Sequence, residues 1–129
     1  MKIAVLEDDP LDFAALARVL GNEQQVTHWQ NGTDALRAFA EQPALADQLT
    51  VIIVDLGLPD MHGAEVIRRI RALPNGHHPA IFALTGSSDP ADMREVESAG
   101  ADDYYVKPTS VAGLRGIAAQ IADVTGFEL

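Results

Sequence analysis

The strongest indication of the fold is the run Val51-Ile52-Ile53-Val54-Asp55. Four consecutive β-branched residues favour a strand that is buried on both faces, because a strand with one face in water would alternate apolar and polar side chains. Strands of this kind are typical of parallel sheets covered by helices. The run ends in a carboxylate, so the edge of such a sheet would also carry charge.

Four further short apolar runs flank this central strand, and each is followed by a helical pattern. Asp-Pro pairs, with the proline suited to the first helical position, predict the starts of two of the helices. Five strand–helix units imply an α/β fold with a doubly wound five-stranded parallel sheet, in the strand order 2-1-3-4-5. The other four predicted strands are Ile3 to Leu6, Val26 to Trp29, Ala80 to Leu84 and Tyr104 to Val106.

Length and composition limit the range of functions. The chain has 129 residues, 47% of them hydrophobic and 22% charged, which predicts one compact domain over residues 1–123 and a short C-terminal tail over 124–129. It contains no cysteine, which excludes disulfides and thiol chemistry. The net charge of −10 makes the domain a poor binder of nucleic acid. No signal peptide or membrane span is visible, so we expect a cytoplasmic protein.

Polar residues stand where the predicted strands end. Glu7 and Asp8 follow the first strand and Asp55 follows the third, and these two strands border the crevice where doubly wound sheets bind ligands. Three carboxylates in one crevice repel each other. A hard divalent cation relieves this repulsion, and Mg²⁺ suits a few carboxylates together with water and phosphate. The sequence therefore predicts a magnesium site.

Two more strand ends extend this chemistry. Lys107 follows the fifth strand and would add a positive charge beside Asp55, while Thr85 ends the fourth strand and offers a hydroxyl group. Phosphoryl transfer to a carboxylate requires mainly charge neutralisation and positioning, which such residues supply.

Four motifs, in this order and at these strand ends, resemble the receiver domain of two-component response regulators, with a flavodoxin-like or CheY-like (βα)5 fold. The resemblance covers essentially the whole chain. The motifs are Val5-Leu6-Glu7-Asp8-Asp9, Val54-Asp55-Leu56-Gly57-Leu58-Pro59-Asp60, Leu84-Thr85-Gly86 and Tyr104-Tyr105-Val106-Lys107-Pro108.

The resemblance implies that Asp55 is the phosphoacceptor and takes a phosphoryl group from the histidine of a sensor kinase or a phosphotransfer protein. Asp8 would bind Mg²⁺ directly and Glu7 mostly through water. Asp55 and the main-chain carbonyl of Gly57 would complete the ligands, with Mn²⁺ as a substitute metal. Lys107 would pair with Asp55 or with its phosphoryl oxygen.

The resemblance also implies a switch. Thr85 would move toward the phosphoryl group, and Tyr104 would turn inward to fill the vacated space. The change would be read by a downstream protein target on the face formed by the fourth helix, fifth strand and fifth helix. The bond between Lys107 and Pro108 would be cis. Such a protein is a phosphoacceptor that promotes its own phosphorylation and dephosphorylation, and is not an enzyme acting on a separate substrate.

Other functions fit the sequence less well. A hydrolase with an aspartate nucleophile would need an acid at position 57, where this chain has glycine. A flavin-binding module would need a phosphate cradle where Glu7 and Asp8 stand. A degenerate receiver that binds partners without phosphorylation remains the alternative.

Of the two adjacent tyrosines, Tyr104 and Tyr105, we expect one to pack and the other to meet solvent.

The four histidines carry no predicted role. Gly57 and Ser87 are small residues at positions that tune loss of the phosphoryl group in this family, which predicts a short-lived phosphoryl state. We expect Gly86 to loosen the loop that has to move. The residues after the last helix leave no room for an output module, which fits a stand-alone receiver or a longer regulator cut after its receiver. The last helix permits a phosphorylation-linked homodimer without requiring one.

Overall fold

The computed structural model describes residues 2–21 and 25–126 of the chain. Five parallel strands form one sheet in the order β2-β1-β3-β4-β5. The strands are β1 (Lys2–Leu6), β2 (Gln25–Trp29), β3 (Val51–Val54), β4 (Ala80–Thr85) and β5 (Asp103–Val106). The helices are α1 (Pro10–Leu20), α2 (Gly32–Glu41), α3 (Leu45–Gln48), α4 (Gly63–Arg71), α5 (Pro90–Ala99) and α6 (Val111–Thr125). The predicted fold class and strand order are confirmed.

The sheet separates two hydrophobic cores, as a doubly wound fold requires. Ile52 and Val54 of β3 face the core under α2, α4 and α5, whereas Val51 and Ile53 face the core under α1 and α6. All four side chains are at most 1% exposed. This two-sided burial explains why β3 reads as an unbroken apolar run. It also holds the end of the strand rigidly at the centre of the sheet.

Side-chain caps begin the helices at the positions that the sequence indicates. The Asp9 carboxylate accepts hydrogen bonds from two amides of the first turn of α1, and Asn31 and Asp89 cap α2 and α5 in the same way. His62, to which the sequence assigned no role, caps α4 by accepting from the amide of Ala64 at 3.3 Å. These caps satisfy amides that no helical carbonyl can reach. They fix the points at which the chain leaves each strand end.

The structure differs from the prediction in a few places. The short helix α3 was not predicted, and its Leu45 and Ala46 are buried against the core. The helix α6 extends to Thr125, two residues beyond the predicted end of the domain. Of the predicted tail, residues 127–129 lie outside the described residues. Within the described part of the chain, no helix has both the length and the apolar character needed to cross a membrane.

Arg71 at the end of α4 joins two loops, the one between α4 and β4 and the one between α5 and β5. Its side chain is 10% exposed, and its guanidinium donates to the carbonyls of Gly100, Gly76 and Pro79 at 2.9, 2.8 and 2.7 Å. It also pairs with the Asp102 carboxylate at 3.0 Å. The planar fork of arginine carries five N–H donors in a fixed arrangement, against three on the ammonium of a lysine, so it suits acceptors that lie on different sides of the side chain.

Candidate functional site

The polar strand ends meet at the carboxyl edge of the sheet. Glu7 follows β1 and Asp55 follows the neighbouring strand β3; they are 5% and 8% exposed. Their carboxylates and that of the exposed Asp8 bring one oxygen each to within 4.8 Å of one another. The structure therefore brings together the three predicted carboxylates. Their arrangement results from the pairing of β1 with β3, which places both strand ends at the centre of the sheet.

Lys107 is the cation of the site. Its ammonium lies 2.6 Å from Oε1 of Glu7, 2.9 Å from Oδ2 of Asp55 and 2.9 Å from Oδ2 of Asp12. The contact with Asp55 agrees with the predicted placement of Lys107, whereas the contact with Glu7 was not predicted. Asp12, in the first turn of α1, was not singled out from the sequence. Acids are common in this turn because they favour the helix dipole, so no local signal connects Asp12 with a lysine 95 residues away.

The three central groups influence one another's ionisation. Burial, with a further contribution from Asp55, raises the pKa of Glu7 to about 7, although Lys107 opposes the rise. Burial also acts to raise the pKa of Asp55, but the amide of Gly57 and the Lys107 ammonium outweigh it and hold that pKa below its usual range. Hydrogen bonds to the carboxylates outweigh burial at Lys107 and raise its pKa. Asp55 is thus held as a carboxylate beside a fixed positive charge.

The loop after Asp55 is tied down at several points. The Gly57 amide donates to Oδ1 of Asp55 at 3.0 Å. Asp60 accepts from the amides of Gly32 and Thr33 at 2.9 and 2.7 Å, and also from the Thr33 hydroxyl. These bonds lower the pKa of Asp60 to about 2, the Thr33 hydroxyl having the largest effect. The part of Gly57 that contacts Asp55 is its N–H group, so the role of its carbonyl as a metal ligand stays a prediction.

The predicted switch residues lie on the neighbouring strands β4 and β5, where Thr85 pairs with Val106 and Tyr104 pairs with Ala83. Thr85 is 5% exposed, and its hydroxyl accepts from the amide of Ser87 at 3.4 Å. The Tyr104 hydroxyl donates to the carbonyl of Ser87 at 2.5 Å. Ser87 therefore connects Thr85 with Tyr104. Its own hydroxyl donates to Asp92 of α5 at 2.5 Å, which extends this chain of contacts into the helix.

Two expectations about the fifth strand are wrong. The bond between Lys107 and Pro108 is trans, as is every peptide bond in residues 2–21 and 25–126. The trans isomer is the more stable one before proline, and it already allows the ammonium to reach its carboxylates. Tyr104 and Tyr105 are both half-buried, because each face of the sheet is covered; Tyr105 lies against Phe82, with ring centroids 6.1 Å apart.

His28 also belongs to the surroundings of the site, although no role was predicted for it. Its ring stacks on Phe13 of α1 with centroids 3.6 Å apart. Its Nε2 lies 2.7 Å from the main-chain carbonyl of Glu7. These contacts brace the segment that carries Glu7 and Asp8. A polar residue in an edge strand gives no sequence signal for such a bond, because the partner lies on another strand.

The donor set fits a hard divalent cation. It consists of carboxylate oxygens, and two of the three groups are buried. Glu7, Asp8 and Asp55 are the residues that could hold Mg²⁺ or Mn²⁺. The same edge of the sheet supplies Lys107 and Thr85, which do not bind a cation but could contact an anion bound beside it.

The family model described as "Response regulator receiver domain" matches residues 3–119. The transcriptional regulatory protein KdpE of Mycobacterium tuberculosis (strain ATCC 25618 / H37Rv) is 36% identical over 107 residues, which cover 82% of this chain and 44% of KdpE. The two-component response regulator PhoP of Pseudomonas aeruginosa is 38% identical over 108 residues, 84% of this chain and 45% of PhoP. The chain thus spans less than half of the length of these relatives.

Solved structures resemble this fold closely. The phosphorylated cyanobacterial phytochrome response regulator RcpA superposes with a TM-score of 0.84 and 22% identity, covering 96% of this chain and 92% of RcpA. The BeF3-activated DrrB receiver domain superposes with a TM-score of 0.75 and 28% identity, covering 95% of this chain and 97% of that domain. The first likeness, at this level of identity, concerns the fold alone.

Proposed function

Because the chain belongs to the response regulator receiver domain family of two-component systems, we propose that it is a phosphorylation switch in which Asp55 accepts a phosphoryl group. The observation that carries the proposal is the contact between the Lys107 ammonium and Oδ2 of the buried Asp55, at 2.9 Å. A buried carboxylate that is held ionised beside a cation is a nucleophile whose charge is already compensated.

The proposed step is the transfer of one phosphoryl group. An oxygen of Asp55 attacks the phosphorus atom of a phosphohistidine on a sensor kinase or phosphotransfer protein. A new O–P bond forms while the N–P bond breaks, and the electron pair of that bond returns to the donor imidazole. The switch is reset by hydrolysis: water attacks the phosphorus, the O–P bond breaks, and inorganic phosphate leaves. The carboxylate of Asp55 is then restored.

Each residue around Asp55 has a different proposed role in this step. Glu7, Asp8 and Asp55 would hold Mg²⁺, with Mn²⁺ as a substitute, and the bound cation would neutralise charge on the phosphoryl oxygens. Lys107 would exchange its bond to Asp55 for one to a phosphoryl oxygen, and would remain protonated throughout because its pKa is raised. Thr85, 5% exposed at the end of β4, would donate its hydroxyl to another phosphoryl oxygen.

Movement of Thr85 would alter the contacts of Ser87, and through them those of Tyr104. Both residues contact Ser87, at 3.4 and 2.5 Å, so the proposed shift has a continuous path to α5. A downstream protein would read the change on the face formed by α5, β5 and α6, which are the predicted fourth helix, fifth strand and fifth helix. A phosphorylation-linked homodimer on the same face is a second form that the output could take.

Intact-mass measurement tests the proposal. The protein is incubated with acetyl phosphate, once with Mg²⁺ and once with a chelator. We expect the mass of one phosphoryl group to be added only with the metal, and Asp55→Asn to abolish the addition. The matched control is Asp60→Asn, which removes a carboxylate five residues further along the same loop and should leave the addition in place. No addition to the unaltered protein under either condition would favour a degenerate receiver that acts by binding alone.

A further inference from the structure

Asp12 contacts the same ammonium as the proposed phosphoacceptor does. Its Oδ2 lies 2.9 Å from Nζ of Lys107, the same distance that separates Nζ from Asp55. Asp12 belongs to the first turn of α1, whereas Lys107 follows β5. This contact therefore connects the proposed site with a helix that carries none of the predicted site residues.

The three contacts use the full hydrogen-bonding capacity of Lys107. An ammonium group has three N–H donors and no acceptor. Glu7 at 2.6 Å, Asp12 at 2.9 Å and Asp55 at 2.9 Å provide one carboxylate for each donor. When two of the donors are fixed by Glu7 and Asp12, the direction of the third is determined by the geometry of the ammonium. That third donor points at Asp55.

We propose that Asp12 is a positioning residue, which together with Glu7 holds the Lys107 ammonium so that its remaining N–H is directed at Asp55 or at the phosphoryl group carried there. This inference rests on the proposed function. Lysine has a long flexible side chain, and restricting it costs conformational entropy at the moment of reaction unless it is already held. The bonds to Glu7 and Asp12 do not involve Asp55, so they can persist while the third bond changes partner.

The two holding contacts differ in their surroundings. The Glu7 side chain is 6% exposed, and that of Asp12 is 47% exposed. An isolated ion pair as exposed as Asp12 would contribute little. Here, however, the lysine is shared with two buried carboxylates in one network, and charge-assisted bonds in such networks reinforce each other. We therefore expect a modest effect of Asp12 on rate, about two- to fivefold, and not the loss of activity expected at Asp55.

The negative charge of Asp12 could also slow phosphorylation, which is the opposite effect on the rate. Asp12 also adds a negative charge beside a site that must receive an anionic donor. If that repulsion were its main effect, removing the charge would accelerate phosphorylation. The direction of the change in rate therefore distinguishes a positioning residue from a charge at the entrance.

The experiment measures the rate of phosphoryl addition from acetyl phosphate with Mg²⁺ in Asp12→Asn, Asp12→Glu and a control. The control is Asp34→Asn, which removes the same charge from the first turn of α2, where the carboxylate lies 3.6 Å from Arg37 and not at the site. We expect Asp12→Asn to slow the addition about two- to fivefold, Asp12→Glu to recover most of the rate, and Asp34→Asn to have no effect.

A second measurement follows the ammonium itself without any phosphoryl donor. In ¹H–¹⁵N spectra, an ammonium held by three carboxylates exchanges its protons slowly and gives a visible signal. We expect the Lys107 signal to weaken in Asp12→Asn and to persist in Asp34→Asn. An unchanged or faster rate in Asp12→Asn, or an unchanged ammonium signal, would overturn the inference while the proposed function stood. Absence of phosphorylation in the unaltered protein would instead overturn the proposed function, and this inference with it.

Discussion

Replacing Arg71 should destabilise the fold more than replacing any exposed arginine of the same helix. Its guanidinium is the donor for three main-chain carbonyls, those of Gly76 and Pro79 in the loop between α4 and β4 and that of Gly100 in the loop between α5 and β5. In Arg71→Ala these three carbonyls lose their donor at once. Hydrogen bonds to a charged group contribute about 1.5 kcal/mol each at the lower end of their range. The bond to the half-exposed Asp102 adds little.

The three bonds come to about 4.5 kcal/mol, and the loss of packing by the arginine stem brings the expected fall in unfolding free energy to about 5 kcal/mol. For a chain of 129 residues this corresponds to a fall in Tm of about 10 to 20 °C. Urea unfolding followed by circular dichroism measures the free energy, and a thermal scan measures Tm. Arg71→Lys should recover less than half of the lost unfolding free energy, because one ammonium cannot reproduce the planar guanidinium that donates to both loops.

Arg69→Ala is the matched control. Arg69 lies on the same helix, its side chain is 57% exposed, and its partner is Glu65 at 3.0 Å. Removing it should cost about 0.5 kcal/mol or less, the usual contribution of a helical surface pair. A difference of less than about 1 kcal/mol between Arg71→Ala and Arg69→Ala would refute the assignment of Arg71 as the residue that joins the loops.

Three further predictions concern the site and its loops. A bulky residue at Gly57 should lengthen the half-life of the phosphoryl group on Asp55, measured by intact mass after removal of the donor; a Cβ there would lie 3.8 Å from Oδ1 of Asp55, so the fold should tolerate it, and an unchanged decay rate would contradict the idea. Asp60→Ala should lower the unfolding free energy by about 1 kcal/mol at neutral pH, because a carboxylate that accepts from the first amides of a helix contributes about as much as a helix cap. Because the folded-state pKa of Asp60 is lowered to about 2 from 3.8, this stabilisation is complete above pH 4 and is lost as the pH falls toward 2. In urea unfolding, the difference in unfolding free energy between the unaltered protein and Asp60→Ala should therefore shrink between these pH values. Gly76→Ala should destabilise the fold strongly, since its Cβ would lie 2.0 Å from a main-chain oxygen, whereas Gly86→Ala meets nothing within 4 Å and should be neutral or stabilising by about 0.5 kcal/mol; equal unfolding free energies in the two variants would be the contrary result.

Much of the fold could be predicted because it depends on local signals. The unbroken apolar run of β3 reflects burial on both faces, and Asp9 and Asp89 mark the first residues of their helices. The short helix α3 was missed, because four residues are too few for a helical period to be recognised. His62 was missed as a cap because histidine is not a usual residue at that position.

The candidate site was predictable to the extent that strand ends define it. Glu7, Asp8, Asp55 and Lys107 each follow a strand and Thr85 is the last residue of one, and parallel strands end at one edge of the sheet. Their roles in phosphoryl transfer and metal binding stay predictions that the experiments above test. The isomer of the Lys107–Pro108 bond was predicted wrongly. The difference in free energy between the two isomers is small, so surroundings that the sequence does not reveal decide it.

The strands, the starts of the five longer helices and the polar groups at the strand ends could be inferred from the chain alone, because each of these depends on residues close together in sequence. Which carboxylates the Lys107 ammonium contacts depends instead on the packing of the whole domain. Its partners Glu7, Asp12 and Asp55 are 100, 95 and 52 residues away in sequence. Contacts at such separations depend on how the sheet twists and how α1 packs beside it. No local pattern of residues encodes these distances, since they follow from the burial of both cores at once.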